Sequence, residues 1–174
     1  TPKPSSAASD VYKRQVPTLY DKIIEWAVES NADLSSIHTS ISGASTLPVE
    51  TIERWENATG GRLIEGYGLT ETAPILAGNP LDGTRRPGYI GLPFPNTEIR
   101  IADPQDPSRT MPDGEPGELL ARGPQVFSGY LNSPEANERA FHDGWFRTGD
   151  MAVMEPDGWI KLVARIKEMI ITCL

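Results

Sequence analysis

The sequence predicts an α/β fold that becomes mostly β in its second half: a partial parallel βαβ unit, then a small antiparallel sheet or distorted barrel. Three observations carry this. Up to Tyr67, apolar residues recur at the 3/4 spacing of helix faces and alternate with short β-branched runs. Beyond Pro80, short strands are separated by Gly/Pro/Asp turns. Glycine and proline supply 16 residues each of 174, a turn-rich usage short of that of a disordered chain.

The first fifteen residues, TPKPSSAASDVYKRQ, are Ser-rich and basic and lack apolar periodicity, so they read as a disordered or non-native tail. The ordered pattern begins at Val16. Pro17 can open a helix whose apolar face is Leu19, Ile23, Trp26 and Ala27, ending near Ser30 and Asn31. SIHTSISG, residues 36–43, reads as a short strand. Ser45 or Thr46 caps a second helix with Pro48 in its first turn and Val49, Ile52 and Trp55 on one face, and Gly60 and Gly61 stop it. RLIEGY, residues 62–67, is the next strand. Strand, helix, strand with short connections is the unit from which parallel sheets are built.

From Tyr89 to Leu162 six short strands are expected: YIGLPF, TEIRIAD, GELLARG, WFRTG, MAVME and WIKLV. Ile99 and Ile101 alternate with Glu98 and Arg100, the period of a half-buried strand. EPDG, residues 155–158, is a hairpin turn, with Pro156 fixing φ and Gly158 taking the positive-φ position. One helix opens at Ser133-Pro134-Glu135.

Composition excludes several functions. With 16 Lys+Arg against 24 Asp+Glu the net charge is −8, against a nucleic-acid binder, which needs a basic face. One cysteine, Cys173, excludes an internal disulfide and a zinc ribbon. His38 and His142 lack metal-ligand spacing. No window approaches 18 uninterrupted apolar residues, so the expectation is a soluble protein of a reducing compartment.

Four segments could carry chemistry. In EGYGLTETAP, residues 65–74, Gly66 and Gly68 flank Tyr67 at the C-terminal end of an expected parallel strand, where open α/β sheets bind ligands. The glycines let backbone approach a planar ring and Tyr67 offers a stacking face. Thr70 offers a hydroxyl to phosphate, and Glu71 a hard oxygen to Mg²⁺. The plain alternative is a strand-to-loop turn with a solvated Glu71. ISGASTLP, residues 41–48, could wall a nucleotide slot or simply start a helix. In DGWFRTGD, residues 143–150, Asp150 could accept two ribose hydroxyls or satisfy its own turn. In ARIKEMII, Arg165 could balance phosphate charge and Lys167 could sit at a hinge, or both could be a solvated basic edge.

Their joint order decides. SGAS, GYGLTET, GELLARGPQVFSGYLN, DGWFRTGD and RIKEMII, in this sequence order, resemble the core motifs of the AMP-forming acyl-CoA synthetase (adenylating) superfamily, over Val16 to Thr172. DGWFRTGDMAVMEPDGWIKLVARIKEMI is similar to the signature region of long-chain fatty acid–CoA ligases. The resemblance implies a fragment of the superfamily's large domain: residues 16–84 its βαβ portion, 85–165 a β-rich subdomain, and 166–174 the hinge and the start of a lid domain.

It further implies an ATP-dependent ligase that activates a fatty acid as acyl-AMP and transfers it to coenzyme A. Aryl-CoA ligases, peptide-synthetase adenylation domains and a non-catalytic nucleotide-binding module are the alternatives. By motif, Ser42, Gly43, Ala44 and Ser45 would border the adenine and acyl pockets, and Gly66, Tyr67 and Gly68 would hold adenine. Thr70 would contact the α-phosphate, Glu71 the Mg²⁺, Asp150 the ribose, and Arg165 the ribose or phosphate side. Lys167 would be the hinge. The superfamily's phosphate loop would lie upstream and its lid-domain lysine beyond Leu174, so this piece alone is expected to be inactive. Ala164 departs from the Asp or Gly that the long-chain group places before the arginine. A cytoplasmic location follows, and fatty-acyl substrates leave peripheral membrane association open.

Overall fold

A computed structural model describes residues 16–43 and 47–166. These fall into two compact units, one holding the residues up to Tyr67 with Asn79–Gly88, the other Gly68–Gly78 with the residues from Tyr89 onward. The chain is α/β in its first part and mostly β in its second, as the sequence predicts.

In the first unit, helix α1 (Val16–Ser30) leads to strand β1 (Thr39–Ser42), helix α2 (Val49–Thr59) and strand β2 (Arg62–Tyr67). β1 and β2 are parallel, registered from Thr39 opposite Arg62 to Ser42 opposite Glu65. The expected α1 face is one residue out of phase. Leu19 and Trp26 are exposed, at 42% and 57%, whereas Ile24 and Ala27 are buried and Tyr20 and Ile23 pack on the core. The buried stripe is therefore 20, 23, 24 and 27, a proper helical face whose first member is amphipathic: the Tyr20 ring meets Trp55 edge-on at 4.7 Å while its hydroxyl donates to the Ile41 carbonyl.

On α2 the buried residues are Thr51, Ile52, Trp55 and Thr59. Pro48 is the N-cap, one position before the helix rather than inside its first turn. The expected caps Ser45 and Thr46 lie outside the described residues. Gly60, at φ +69°, ends the helix in the left-handed conformation and donates its N–H to Glu56 O at 2.8 Å. Ile24, Leu47, Ile52, Trp55 and Leu63 form one buried cluster.

The second unit contains a 3₁₀ turn at Thr70–Thr72 and the short antiparallel pair β3 (Ala77–Gly78) and β4 (Leu92–Pro93), all that forms of the expected strand at 89–94 besides a single bridge from Gly91 to Ile160. Five strands make an antiparallel sheet: β5 (Glu98–Ala102), β6 (Gly117–Arg122), β7 (Phe141–His142), β8 (Trp145–Met154) and β9 (Ile160–Arg165). β6 lies between β5 and β8, and β7 and β9 both pair with β8. Helix α3 (Pro134–Ala140) carries its proline at the first turn, as the start signal predicts.

WFRTG and MAVME are one strand, not two. Gly149, at φ +73°, creates an irregularity within β8 rather than ending it. The EPDG hairpin forms as expected, with Gly158 at φ +84° donating to Glu155 O at 2.8 Å. No helix among the described residues is long and apolar enough to cross a membrane.

Candidate functional site

β1 ends at Ser42, which is fully buried and whose Oγ has no hydrogen-bond partner among the described residues. A buried hydroxyl without a partner is costly, so such an atom marks a place where a polar group is wanted. At the neighbouring Gly43, a Cβ would stand 3.3 Å from the Gly66 carbonyl oxygen, tighter than side chains ordinarily allow. The first unit thus brings two motif segments, Ser42-Gly43 and Gly66, to the same ends of two parallel strands. Ala44 and Ser45 lie outside the described residues. Tyr67 closes β2 with its side chain buried.

Glu65, two residues before Tyr67, is a residue the motif reading passed over. Burial pushes its carboxyl up to about 7, partly opposed by a hydrogen bond from the Leu47 amide. It borders a small cavity with Ile52, Leu63, Asn79, Arg85 and Arg86. Arg85 is engaged elsewhere: it forms a bidentate ion pair with Glu56 and donates to Leu63 O at 3.0 Å. The available signal is a lone carboxylate inside a strand with burial on both sides.

In the second unit, Gly68 opens a loop that folds back on itself. A Cβ there would fall 1.7 Å from the Pro74 carbonyl oxygen, so no side chain fits, with or without a ligand. The loop is tied by Thr72, fully buried, whose Oγ1 accepts the Leu69 N–H at 2.9 Å and lies within donating distance of the carbonyls of Leu69 and Pro74. Thr70 is exposed on the other side of the turn and Glu71 is half-buried.

Glu71 is held twice. Its carbonyl accepts the Phe127 N–H at 2.8 Å, and its Oε1 accepts the Tyr130 hydroxyl at 2.9 Å. Phe127 is itself fixed in an aromatic group with Tyr130, Phe141 and Phe146, at centroid distances of 4.8 to 5.4 Å. Burial, together with the Glu71 carboxylate, raises the Tyr130 phenol, which keeps its proton on the donor side of this bond. Tyr130, in PQVFSGYLN, is thus a supporting residue that sequence spacing could not connect to Glu71, 59 positions away.

Among the described residues no group of three or more His, Cys, Asp or Glu could hold a metal ion. A single fixed carboxylate is nonetheless the protein contribution that Mg²⁺ asks for when phosphate oxygens and water complete its octahedron. Glu71 fits that part: a carboxylate has about four lone-pair sites and the Tyr130 hydroxyl uses one.

Asp150 lies on β8, opposite Arg165 at the end of β9. Its side chain is only 6% exposed, and its Oδ1 accepts the Arg165 Nε–H at 2.9 Å. The two residues expected to bracket the ribose are therefore one ion pair, with the arginine largely in solvent. Lys167 lies outside the described residues.

A family model described as AMP-binding enzyme matches residues 14–131. The long-chain-fatty-acid–CoA ligase of Yersinia pestis is 41% identical over 156 residues, which is 90% of this chain and 27% of that protein. A feruloyl-CoA synthase of Amycolatopsis sp. is 37% identical over 158 residues, 90% of this chain and 32% of its own length. Among solved structures, apo MatB from Rhodopseudomonas palustris superposes with a TM-score of 0.75 at 33% identity, over 86% of this chain and 30% of that one. The chain therefore spans less than a third of each of these three proteins.

Proposed function

The chain belongs to the AMP-binding enzyme family, and from that premise we propose that it is the nucleotide-holding part of an ATP-dependent long-chain fatty acid–CoA ligase. In the first half-reaction a fatty-acid carboxylate oxygen bonds to the α-phosphorus of ATP, the bond to the β-phosphate oxygen breaks, and pyrophosphate leaves. In the second, the sulfur of coenzyme A bonds to the acyl carbon and AMP departs. Neither step calls for a side-chain nucleophile, and the contribution of the protein is positioning and charge neutralisation.

Each residue has a part in this reading. Gly43, Gly66 and Gly68 leave backbone bare for the adenine plane, and Tyr67 supplies its ring. Ser42, with Ala44 and Ser45, borders the adenine and acyl pockets, and its hydroxyl, which has no partner among the described residues, suits a polar ligand atom. Thr70 donates to an α-phosphate oxygen. Glu71, steadied by Tyr130, would hold Mg²⁺, which when bound neutralises phosphate charge. Asp150 accepts ribose hydroxyls, and Arg165, paired with it, serves the ribose or phosphate side. Lys167 would be the hinge of a lid domain, and coenzyme A the second substrate. Peripheral contact with a bilayer would bring the fatty acid to the site.

The single observation that carries the long-chain assignment is 41% identity over 156 residues to a ligase of that name. An aryl substrate is the second reading, favoured by the 37% identity to the feruloyl-CoA synthase. Thermal-shift titration with non-hydrolysable palmitoyl- and benzoyl-adenylate analogues tests both. We expect stabilisation by the palmitoyl analogue, lost in Asp150→Ala. A shift with the benzoyl analogue alone would reverse the substrate assignment, and no shift with either would remove the nucleotide site.

A further inference from the structure

Glu118 is among the most deeply buried charged residues of the described chain, 2% exposed on β6, and no motif assigns it a role. A buried carboxylate is tolerated only where charge and hydrogen bonds meet it. Here they do, and all come from the segment immediately before Asp150. Arg147 donates from Nη2 at 2.6 Å and from Nε at 2.9 Å to Oε2, while the Gly149 backbone N–H donates to Oε1 at 3.2 Å.

The ladder between β6 and β8 shows what this achieves. Glu118 pairs with Met151 and Leu120 with Arg147, so residue 119 alone faces residues 148 to 150. That is a bulge with two extra residues on β8, and bulges turn side chains away from the direction simple alternation would give. The bulge is fastened at three points. Thr148 Oγ1 donates to Leu119 O at 2.8 Å and accepts the Asp150 N–H at 3.1 Å, and the Gly149 amide reaches Glu118. Gly149 supplies the positive φ, +73°, that lets the amide turn inward. Asp150, the last residue of the bulge, stands opposite Arg165, whose Nε lies 2.9 Å from its Oδ1.

We infer that Glu118 is a positioning residue for nucleotide binding: through Arg147 and the Gly149 amide it fixes the bulge that aims Asp150. The inference rests on the proposed role of Asp150 as the ribose ligand. Removing Glu118 alone would strand the Arg147 charge, so the informative variant replaces both, Glu118→Met with Arg147→Met, which substitutes apolar side chains of similar size.

Two measurements on the purified chain decide it. The first is amide hydrogen exchange at Gly149, where the double variant should exchange at least tenfold faster while amides of β5 stay protected. The second is affinity for AMP and a palmitoyl-adenylate analogue. The double variant should lose about tenfold, Arg147→Lys should retain the wild-type value, and adding Asp150→Ala to the double variant should cost nothing beyond Asp150→Ala by itself. Unchanged exchange at Gly149, or losses that add in full, would overturn the inference. If the wild-type chain bound neither ligand, the nucleotide reading would fall with the positioning role, while exchange at Gly149 would still report whether Glu118 holds the bulge.

Discussion

Tyr67 and Glu65 sit two residues apart on β2 and answer to different physics. If the Tyr67 ring stacks on adenine, its face matters and its hydroxyl does not. Tyr67→Phe should then bind an adenylate analogue within about twofold of wild type, and Tyr67→Ala should lose about tenfold or more, as for one lost aromatic contact of about 1.5 kcal/mol. Equal losses in calorimetric titration would rule out stacking. Glu65 titrates near neutrality because burial penalises its charge, with a folded value of about 7 against an ordinary 4.5. A raised pKa favours the protonated fold, so this contribution is complete below pH 4.5 and is lost as pH rises through 7. Glu65→Gln, which stays neutral, should melt only slightly above wild type at pH 5 and well above it at pH 8, with the difference growing between pH 4.5 and 7 and levelling off beyond. A difference independent of pH would mean that Glu65 is ionised throughout. Neither this titration nor the buried Ser42 hydroxyl is legible in sequence, because both depend on what covers the side chain.

At the scale of elements, β2 and the hairpin at EPDG were readable because local chemistry decides them: a short run with Leu63, Ile64 and Tyr67 bounded by Gly61, and a proline and glycine at fixed turn positions. The phase of α1 was not. Counting Trp26 as core and Tyr20 as surface follows hydrophobicity, but the tertiary contact with Trp55 and Ile41 favours Tyr20. Nor was the continuity of β8, since a glycine at positive φ reads as a turn unless a buried carboxylate is known to meet its amide. The loop 68–78 shows a motif glycine whose first duty is steric. Gly68→Ala would press a methyl against the Pro74 carbonyl, and we expect a loss of about 3 kcal/mol in denaturant melts, at the upper end of overpacking costs. A loss under about 0.5 kcal/mol would show that the loop opens easily.

Over the whole molecule, motif order carried more than any single motif. A glycine pair, a turn aspartate and a strand-end arginine each have ordinary explanations. Of the motifs, SGAS, GYGLTET and GELLARG fall within the family match over residues 14–131, and relatives align over 90% of the chain. The supports of the site were hidden for a common reason. Tyr130 for Glu71 and Glu118 for Asp150 act across 59 and about 30 positions, distances over which only the fold makes neighbours. Under the proposed function the acidic balance, −8, means that a polyanionic nucleotide would be drawn in by a few placed donors rather than by the net field.

Whether these residues hold an adenylate is decided by photolabelling. The chain is irradiated with 8-azido-ATP in the presence and absence of a palmitoyl-adenylate analogue, and the labelled peptides are mapped. Saturable labelling of the peptide containing Gly66, Tyr67 and Gly68, abolished by the competitor, is expected. Labelling that survives competition, or that maps away from this segment, would contradict an adenylate site here.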